Sequence, residues 1–333
     1  MTPDQHDTRE RLAAFIARAA GATDVTISAL ERMSGGAVQE NWALDVTLDG
    51  ESRRWVLRTD ARAVVRESQT RAQEFAILKV VHPAQVFAPR PLYLCEDLAV
   101  TGRPFFIMER LPGVAAAHRI TRDANLVPDP ARLAGELGAN LARLHRIRPP
   151  HPALGFLKTM LARDNIAHYR GYLDTLTRAY PVLEWGLRWC EINAPEREET
   201  TFIHRDYRTG NYLVDDGRLS GVLDWEFCAF GNPLEDVAWI GARYWRFARP
   251  DRHVGGIARL EDFIPAYEQA SGRRVAPRDV NYWEVMANLR WAMIVLQQVD
   301  RHLSGGEPSL ELALTGHIVS QLELEILNLT GAT

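Results

Sequence analysis

One short segment combines residue types that could move a proton and hold a metal ion. It reads "HRDYRTGNYLV", with His204, Asp206 and Asn211 at H-x-D-x-x-x-x-N spacing, and "GVLDWE" follows with Asp224 and Glu226. A carboxylate can accept the proton of a hydroxyl group, and carboxylate and amide oxygens are ligands that Mg²⁺ prefers. The segment therefore indicates a site for proton transfer and magnesium binding.

A hairpin would explain how these residues meet. Two short apolar runs, "NYLV" and "LSGVL", flank Asp216-Gly217, a pair that favours a tight turn. Folding the hairpin brings Asn211 and Asp224 to within about two residues of facing each other, on strands roughly 4.8 Å apart. The alternative is that the acids are only turn or surface residues, which is our interpretation of Asp215 and Asp216.

The remaining sequence predicts an α+β protein with a β-rich beginning and a helical remainder. The runs "WALDVTLDG" and "RRWVLRT" flank the turn pair Asp49-Gly50, and "RPFFIMERL" is a third strand. "RESQTRAQEFAILKVV" predicts one helix across this sheet, and an N-terminal helix is expected to be capped by Thr8. Helical stretches dominate from Pro128 onward, among them "NIAHYRGYLDTLTRAYPVLEWGLRWC". "ERLPG" marks a hinge near 109–113, so we expect an N-terminal lobe of residues 1–110 and a C-terminal lobe of residues 111–333.

Composition excludes several classes of protein. The chain has 333 residues, is 46% hydrophobic and 25% charged, and carries a net charge of −4, which provides no cationic field for nucleic acid. Its three cysteines are far apart, which argues against a disulfide framework or a zinc site. Neither a signal peptide nor an apolar run of roughly 18 residues is present, so we expect a cytoplasmic protein without a membrane partner.

The motifs together resemble the aminoglycoside phosphotransferase family, whose fold is that of protein kinases and choline kinases. "HRDYRTGNYLV", "GVLDWE" and "GNPLEDVAW" carry the resemblance, and H-R-D-x-x-x-x-N is also the catalytic-loop signature of protein kinases. "WVLR", "APRPLYLCED" and "GRPFFIMERLPG" look closest to the branch associated with acyl-CoA dehydrogenases. The resemblance implies a two-lobed kinase-like fold, with a small antiparallel sheet and one main helix in the N-terminal lobe and a larger helical C-terminal lobe.

The resemblance also implies roles for the residues of the opening segment. Asp206 becomes the catalytic aspartate that accepts the proton of the substrate hydroxyl, and His204 is expected to brace the catalytic loop. Asn211 and Asp224 become ligands of Mg²⁺. The hairpin itself, rather than the resemblance, makes the nearby Glu226 a further candidate ligand. Asp236, in "GNPLEDVAW", matches a family aspartate that tethers the catalytic loop.

The N-terminal lobe would then hold the phosphates of the nucleotide. Gly35 and Gly36, in "MSGGAVQEN", can let backbone N–H groups approach phosphate because they carry no Cβ. Arg58 occupies the position of the usual lysine and can bind phosphate through two nitrogens. Glu74 is its expected partner, although Glu67 is a nearby competitor.

The sequence gives weaker signals for the residues that bind the nucleotide base and the phosphate acceptor. The Glu109 carbonyl and the Leu111 N–H are expected to bond the base, in a pattern that suits ATP or GTP. Arginines and aromatic residues in "WIGARYWRFARPDR" and "ANLRWAM" suit an anionic or apolar-tailed hydroxy compound such as a hydroxyacyl-CoA, unless they are only core and surface. The acidic stretch "EINAPEREET" keeps a cationic aminoglycoside open as the acceptor.

These observations predict a small-molecule kinase that uses Mg²⁺ and ATP or GTP to phosphorylate a substrate hydroxyl. An aminoglycoside O-phosphotransferase is the alternative enzyme, and a non-catalytic nucleotide-binding pseudokinase is the alternative from another class. A protein kinase is disfavoured because Asp224 is followed within ten residues by the helix near Pro233, which leaves little room for an activation loop. The sequence leaves the oligomeric state open.

Overall fold

The computed structural model describes residues 3–33, 39–60, 68–305 and 309–332. The chain divides into two compact units. The first unit comprises Met1–Pro112 together with Ser220–Phe227, and the second comprises Gly113–Leu219 together with Cys228–Thr333. The segment that carries Asp224 and Glu226 therefore belongs to the first unit, although it is far along the chain.

A five-stranded antiparallel sheet forms the centre of the first unit, in the order β1-β2-β3-β5-β4. Its strands are β1 (Val25–Arg32), β2 (Gln39–Leu48), β3 (Glu51–Asp60), β4 (Pro91–Cys95) and β5 (Phe105–Glu109). Its helices are α1 (Pro3–Ala20), α2 (Arg71–Val81) and α3 (Leu98–Thr101).

Local signals in the sequence account for much of this unit. The predicted turn joins β2 to β3, with φ of 47° at Asp49 and 87° at Gly50, as a tight hairpin requires. The predicted helix α2 begins after Thr70, whose hydroxyl accepts the backbone N–H of Gln73. The predicted cap at Thr8 is wrong, because α1 begins at Pro3 and the Thr8 hydroxyl instead bonds a side chain one turn further along the helix.

The apolar face of α1 closes the core of the first unit. Leu12 and Ile16 lie one turn apart on this helix, and both are fully buried. They pack with a cluster of buried side chains from β2, β3 and β5, among them Leu44, Val46, Trp55, Leu57, Phe105 and Ile107. Burial of this face supplies most of the stability of such a helix.

The second unit is mainly helical. Its helices are α4 (Ala117–Arg122), α5 (Pro130–Leu144), α6 (Ala162–Leu173), α7 (Pro181–Ile192), α8 (Leu234–Gly241), α9 (Leu260–Ser271), α10 (Pro277–Leu303), α11 (Leu310–Thr315) and α12 (Ile318–Thr330). The long helical stretch expected over residues 165–190 is two helices, because Pro181 begins α7 and cannot continue α6.

Short strands flank the predicted site residues Asp206 to Glu226. β6 (Thr159–Met160), β10 (Ala229–Gly231) and β7 (Thr201–Ile203) form a three-stranded sheet. The predicted turn at Asp216-Gly217 joins β8 (Tyr212–Asp215) to β9 (Arg218–Val222), with φ of 47° and 70° at the two turn residues.

Close helix packing supports the elements around the predicted catalytic loop. Helices α5 and α9 cross closely at Gly138, where a Cβ would lie 2.5 Å from the carbonyl oxygen of Phe263. Helix α10 supplies many buried side chains to the core that it shares with α6, α7 and α12. None of the helices in the described ranges is long and apolar enough to cross a membrane.

Candidate active site

The predicted catalytic loop follows β7 directly and has a strained backbone. Arg205 has φ of +65°, a left-handed conformation that is unusual for a residue other than glycine. The backbone N–H groups of His204 and Arg205 both donate to the carboxylate of Asp236, at 2.7 Å each. The carbonyl oxygen of Arg205 accepts a bond from Arg290 on α10. Side chains from α8 and α10 thus bond the backbone N–H and the carbonyl oxygen of the strained residue Arg205.

Asp236 is itself part of a fully buried network. Its carboxylate lies 3.2 Å from Nε2 of His145, and Nδ1 of His145 lies 2.9 Å from the Tyr267 hydroxyl. Burial lowers the pKa of His145, so the imidazole is neutral, donating from Nε2 to Asp236 and accepting at Nδ1 from Tyr267. Burial alone would raise the pKa of Asp236, but the hydrogen bond from His145 and the backbone donors hold it below its usual value. An ionised Asp236 therefore anchors the loop, as the sequence predicted for a tether.

The carboxylate of Asp206 is oriented by side chains on three sides. Oδ1 accepts from Trp239 Nε1 at 2.9 Å and from Arg208 Nε at 3.0 Å, and Oδ2 accepts from Asn211 Nδ2. The backbone N–H of Asp206 donates to Nδ1 of the buried His204, at 3.2 Å. The structure thus brings together the predicted residues Asp206, Asn211 and His204 within the second unit.

Arginines and tryptophans surround this carboxylate. The guanidinium carbon of Arg208 lies 4.4 Å from the centroid of the Trp245 ring, and that of Arg290 lies 4.5 Å from the centroid of the Trp239 ring. Trp239 and Trp245 are buried, with ring centroids 5.6 Å apart. The neighbourhood of Asp206 is therefore rich in guanidinium groups and aromatic faces.

A second cluster of predicted site residues lies in the first unit. Arg58 on β3 and Glu74 on α2 form a buried ion pair, with Arg58 Nε 2.9 Å from the Glu74 carboxylate. Arg71 also donates to Glu74, so one buried carboxylate holds two guanidinium groups. Arg71 in turn lies 2.9 Å from Asp60. The expected partnership of Arg58 with Glu74 is confirmed as a contact; the competitor Glu67 lies outside the described residues.

Arg58 also contacts the predicted metal aspartate. Its Nη1 lies 3.1 Å from Oδ1 of Asp224, which has φ of +61° and a side chain that is 34% exposed. Burial alone would lower the pKa of Arg58, but the carboxylates of Glu74, Asp224 and Glu226 raise it, so the guanidinium stays charged. Its Nη2 is buried without a hydrogen-bond partner among the described residues. A phosphate oxygen fits this donor because a charged guanidinium N–H forms strong, charge-assisted hydrogen bonds with oxyanions.

The proposed magnesium ligands can be tested against the donor atoms of each unit. The amide of Asn211 turns Nδ2 toward Asp206, so Oδ1 is the atom of this side chain that has the chemistry of a metal ligand. Asp224 has one oxygen paired with Arg58 and a second carboxylate oxygen for a metal. Within the described ranges no three His, Cys, Asp or Glu side chains form a metal cluster. An amide oxygen and a carboxylate oxygen are each donor types that Mg²⁺ accepts, and the ion usually completes its shell with phosphates and water.

The remaining predicted site residues lie partly outside and partly within the described ranges. Gly35 and Gly36 lie outside the described residues. Glu109 ends β5, and its side chain forms an exposed ion pair with Arg90. Glu226 is buried in a single 3-10 turn next to Asp224. The functions of Glu109, Leu111 and Glu226 stay predictions.

Sequence reasoning missed four residues that support the site. Trp239 and Arg208 bond Asp206, Arg290 bonds the loop, and Arg71 shares Glu74. Two i, i+3 spacings gave a signal, Asp236 with Trp239 and Arg71 with Glu74, because residues at i and i+3 lie on one helix face.

Comparison with known proteins identifies the family. The family described as "Phosphotransferase enzyme family" matches residues 29–276 of this chain. The chain belongs to this family. It is 26% identical over 269 residues to acyl-CoA dehydrogenase family member 10 of Mus musculus, a match that covers 75% of this chain and 24% of that relative. The chain thus spans about a quarter of the length of this relative.

Solved structures share the fold. A candidate aminoglycoside phosphotransferase from Ralstonia eutropha superposes with a TM-score of 0.77 at 20% identity, covering 97% of this chain and 98% of that one. An aminoglycoside phosphotransferase in ternary complex with AMP-PNP and hygromycin B gives a TM-score of 0.56 at 16% identity, covering 96% and 97%. The predicted kinase-like α+β fold is confirmed, and so is the predicted resemblance.

Proposed function

We propose that the protein is a small-molecule kinase that transfers the γ-phosphate of ATP or GTP to a substrate hydroxyl. The observation that carries this proposal is the Asp206 carboxylate, oriented by three side-chain donors on a loop that Asp236 anchors. In the reaction the hydroxyl proton moves to Asp206. The hydroxyl oxygen bonds to the γ-phosphorus while the bond to the bridging oxygen breaks, which gives a phosphate monoester and a nucleoside diphosphate.

The first unit would bind the nucleotide. We assign Arg58 to the phosphates because it keeps its charge and its Nη2 lacks a partner among the described residues. Glu74 would hold Arg58 in place through their buried ion pair. The loop with Gly35 and Gly36 is assigned to the phosphates, and the backbone of Glu109 and Leu111 to the base, by resemblance to the family.

Magnesium would be held by Asn211 and Asp224, with Glu226 as a further ligand. When bound, the ion neutralises phosphate charge in a transition state that is loose and spreads charge over the phosphate oxygens. The residues of the chain then position the reactants: Asp206 receives the proton, and Arg58 binds phosphate oxygens.

We propose a hydroxyacyl-CoA or another anionic hydroxy metabolite as the acceptor. The guanidinium of Arg208, which contacts both Asp206 and the Trp245 ring, supports an acceptor with negative charge or flat apolar groups. The similarity to an acyl-CoA dehydrogenase family member supports an acyl-CoA compound in particular. We propose a cytoplasmic location for this activity.

An aminoglycoside O-phosphotransferase is the second candidate, favoured by the structural neighbour with bound hygromycin B. A polycationic acceptor needs free carboxylates, but the acidic stretch over 191–200 uses three of its acids internally. Glu191 pairs with Arg170 and Arg188, Glu198 accepts from the backbone of Ala162, and Glu199 pairs with Arg273. This pairing favours the metabolite kinase. A pseudokinase is disfavoured by the ordered Asp206 and Asn211 pair.

The experiment is nucleotide consumption with candidate acceptors. Purified protein with Mg²⁺ and ATP or GTP is tested against hydroxyacyl-CoAs, sugars, choline-like alcohols and aminoglycosides, with Asp206→Ala as the blank. Turnover with the hydroxyacyl-CoAs that is lost in the blank is the expected result. Turnover with aminoglycosides alone would establish the second candidate, and nucleotide binding without any transfer would support the pseudokinase.

A further inference from the structure

One face of helix α8 reaches the catalytic loop at two points. Asp236 accepts the backbone N–H groups of His204 and Arg205, and Trp239 donates its indole N–H to Oδ1 of Asp206 at 2.9 Å. Asp236 and Trp239 are three residues apart, so they project from the same side of the helix. The helix therefore fixes both the backbone of the loop and the carboxylate that it carries.

The hydrogen bonds to Asp206 distinguish its two oxygens. Oδ1 accepts from both Trp239 and Arg208, and a carboxylate oxygen has two lone pairs. Oδ2 accepts from Asn211 alone among the side chains of the described residues. Oδ2 thus keeps a lone pair for a further proton donor, whereas Oδ1 is saturated.

Trp239 is itself held in a single position. The side chain is 2% exposed, the Arg290 guanidinium covers one ring face, and the Trp245 ring packs beside it. A buried indole needs a hydrogen-bond partner, and the partner here is a carboxylate. Such a donor, fixed by packing, can orient the carboxylate without moving during the reaction.

We propose that Trp239 is a positioning residue that saturates Oδ1 of Asp206 together with Arg208 and leaves Oδ2 to receive the proton of the acceptor hydroxyl. This inference rests on the proposed function for the role of Asp206, but the hydrogen bond can be tested without catalysis. The proton passes from the acceptor hydroxyl to Oδ2, and the indole N–H is retained by Trp239 throughout.

The first test is spectroscopic and uses the full chain labelled with ¹⁵N. The chain has nine tryptophans, and Trp239→Phe identifies the indole signal of Trp239; sequential assignment replaces it if that variant does not fold. We expect Asp206→Ala to move the Trp239 indole signal upfield and to speed its exchange with solvent, while the Trp283 signal stays in place. An unmoved Trp239 signal in Asp206→Ala would overturn the proposal.

The second test separates positioning from packing. Mg·ATP is the probe, with water as the acceptor, and Trp283→Phe is the matched control because Trp283 is also 2% exposed but lies in the core shared with α7 and α12. Losing a hydrogen bond to a charged group predicts a fall of about ten- to a hundredfold in kcat for Trp239→Phe. The KM for Mg·ATP should stay within about twofold, since Trp239 is not among the residues that we assign to the nucleotide.

The outcomes separate this inference from the proposed function. Equal losses of kcat in Trp239→Phe and Trp283→Phe would show that Trp239 acts only through packing, and this result would overturn the inference. If Asp206→Ala hydrolyses ATP as fast as the wild type, the role of Asp206 as the base fails. In that case the spectra still decide whether Trp239 forms a hydrogen bond with the Asp206 carboxylate.

Discussion

Replacing Glu74 with glutamine should destabilise the first unit strongly. The Glu74 carboxylate lies between the guanidiniums of Arg58 and Arg71, and all three residues are at most 3% exposed. One pair of unit charges about 4 Å apart is worth about 4 kcal/mol at an effective dielectric constant of about 20. Glutamine keeps the shape of the side chain and one acceptor, but it removes the buried counter-charge that Arg58 and Arg71 share and leaves each with one partly exposed partner, Asp224 or Asp60. We expect a loss of about 3–5 kcal/mol in the free energy of unfolding.

The assay is guanidinium-induced unfolding, followed by far-UV circular dichroism, of the wild type and two variants. Glu51→Gln is the matched control because Glu51 lies on the same sheet and its ion pair with Arg53 is exposed, with side chains 68% and 47% accessible. An exposed pair contributes little, so this control should unfold with the wild type. A Glu74→Gln protein within about 1 kcal/mol of the control would refute the reasoning from buried charge.

Three further predictions concern the nucleotide, the metal and pH. Asp224→Ala should weaken Mg·ATP binding at least about tenfold in calorimetry, because it removes a proposed metal ligand; an unchanged Kd would remove Asp224 from the metal site. Arg58→Lys should retain part of the kcat/KM that Arg58→Ala loses, since lysine keeps the charge; full activity in Arg58→Ala would show that another residue binds the phosphates. Burial raises the pKa of Glu284 from 4.5 to about 7, so the stability that this acid contributes at low pH is lost as pH rises through about 7. As pH rises from about 5 to about 8, the free energy of unfolding of Glu284→Gln should therefore increase by about 1–3 kcal/mol relative to that of the wild type. Urea titrations measure this difference, and a difference that does not change with pH would contradict the prediction.

Local chemistry explains which parts of the fold could be predicted. The turns at Asp49-Gly50 and Asp216-Gly217 were predictable because both positions need positive φ, which few residues tolerate. The break between α6 and α7 was missed even though Pro181 marks it, because apolar periodicity continues across the gap.

Several supporting contacts of the site could not be predicted, because they join residues far apart in sequence. Trp239 and Asp206 are 33 residues apart, and the Arg290 guanidinium that covers the indole belongs to α10, which begins at Pro277. Arg71 joins the pair of Arg58 and Glu74 only because the end of β3 and the start of α2 lie together. A sequence shows the residue types of such a network, and tertiary packing decides which side chains bond.

The central claim is tested most directly by following the product. The wild type and Asp206→Ala are incubated with Mg·ATP and the acceptor panel, and ADP and phosphorylated acceptor are quantified by mass spectrometry. The proposed function predicts equal amounts of ADP and of a phosphate monoester in the wild type, with neither product above background in Asp206→Ala. Phosphorylated acceptor formed at the wild-type rate by Asp206→Ala would contradict the assignment of Asp206 as the catalytic base.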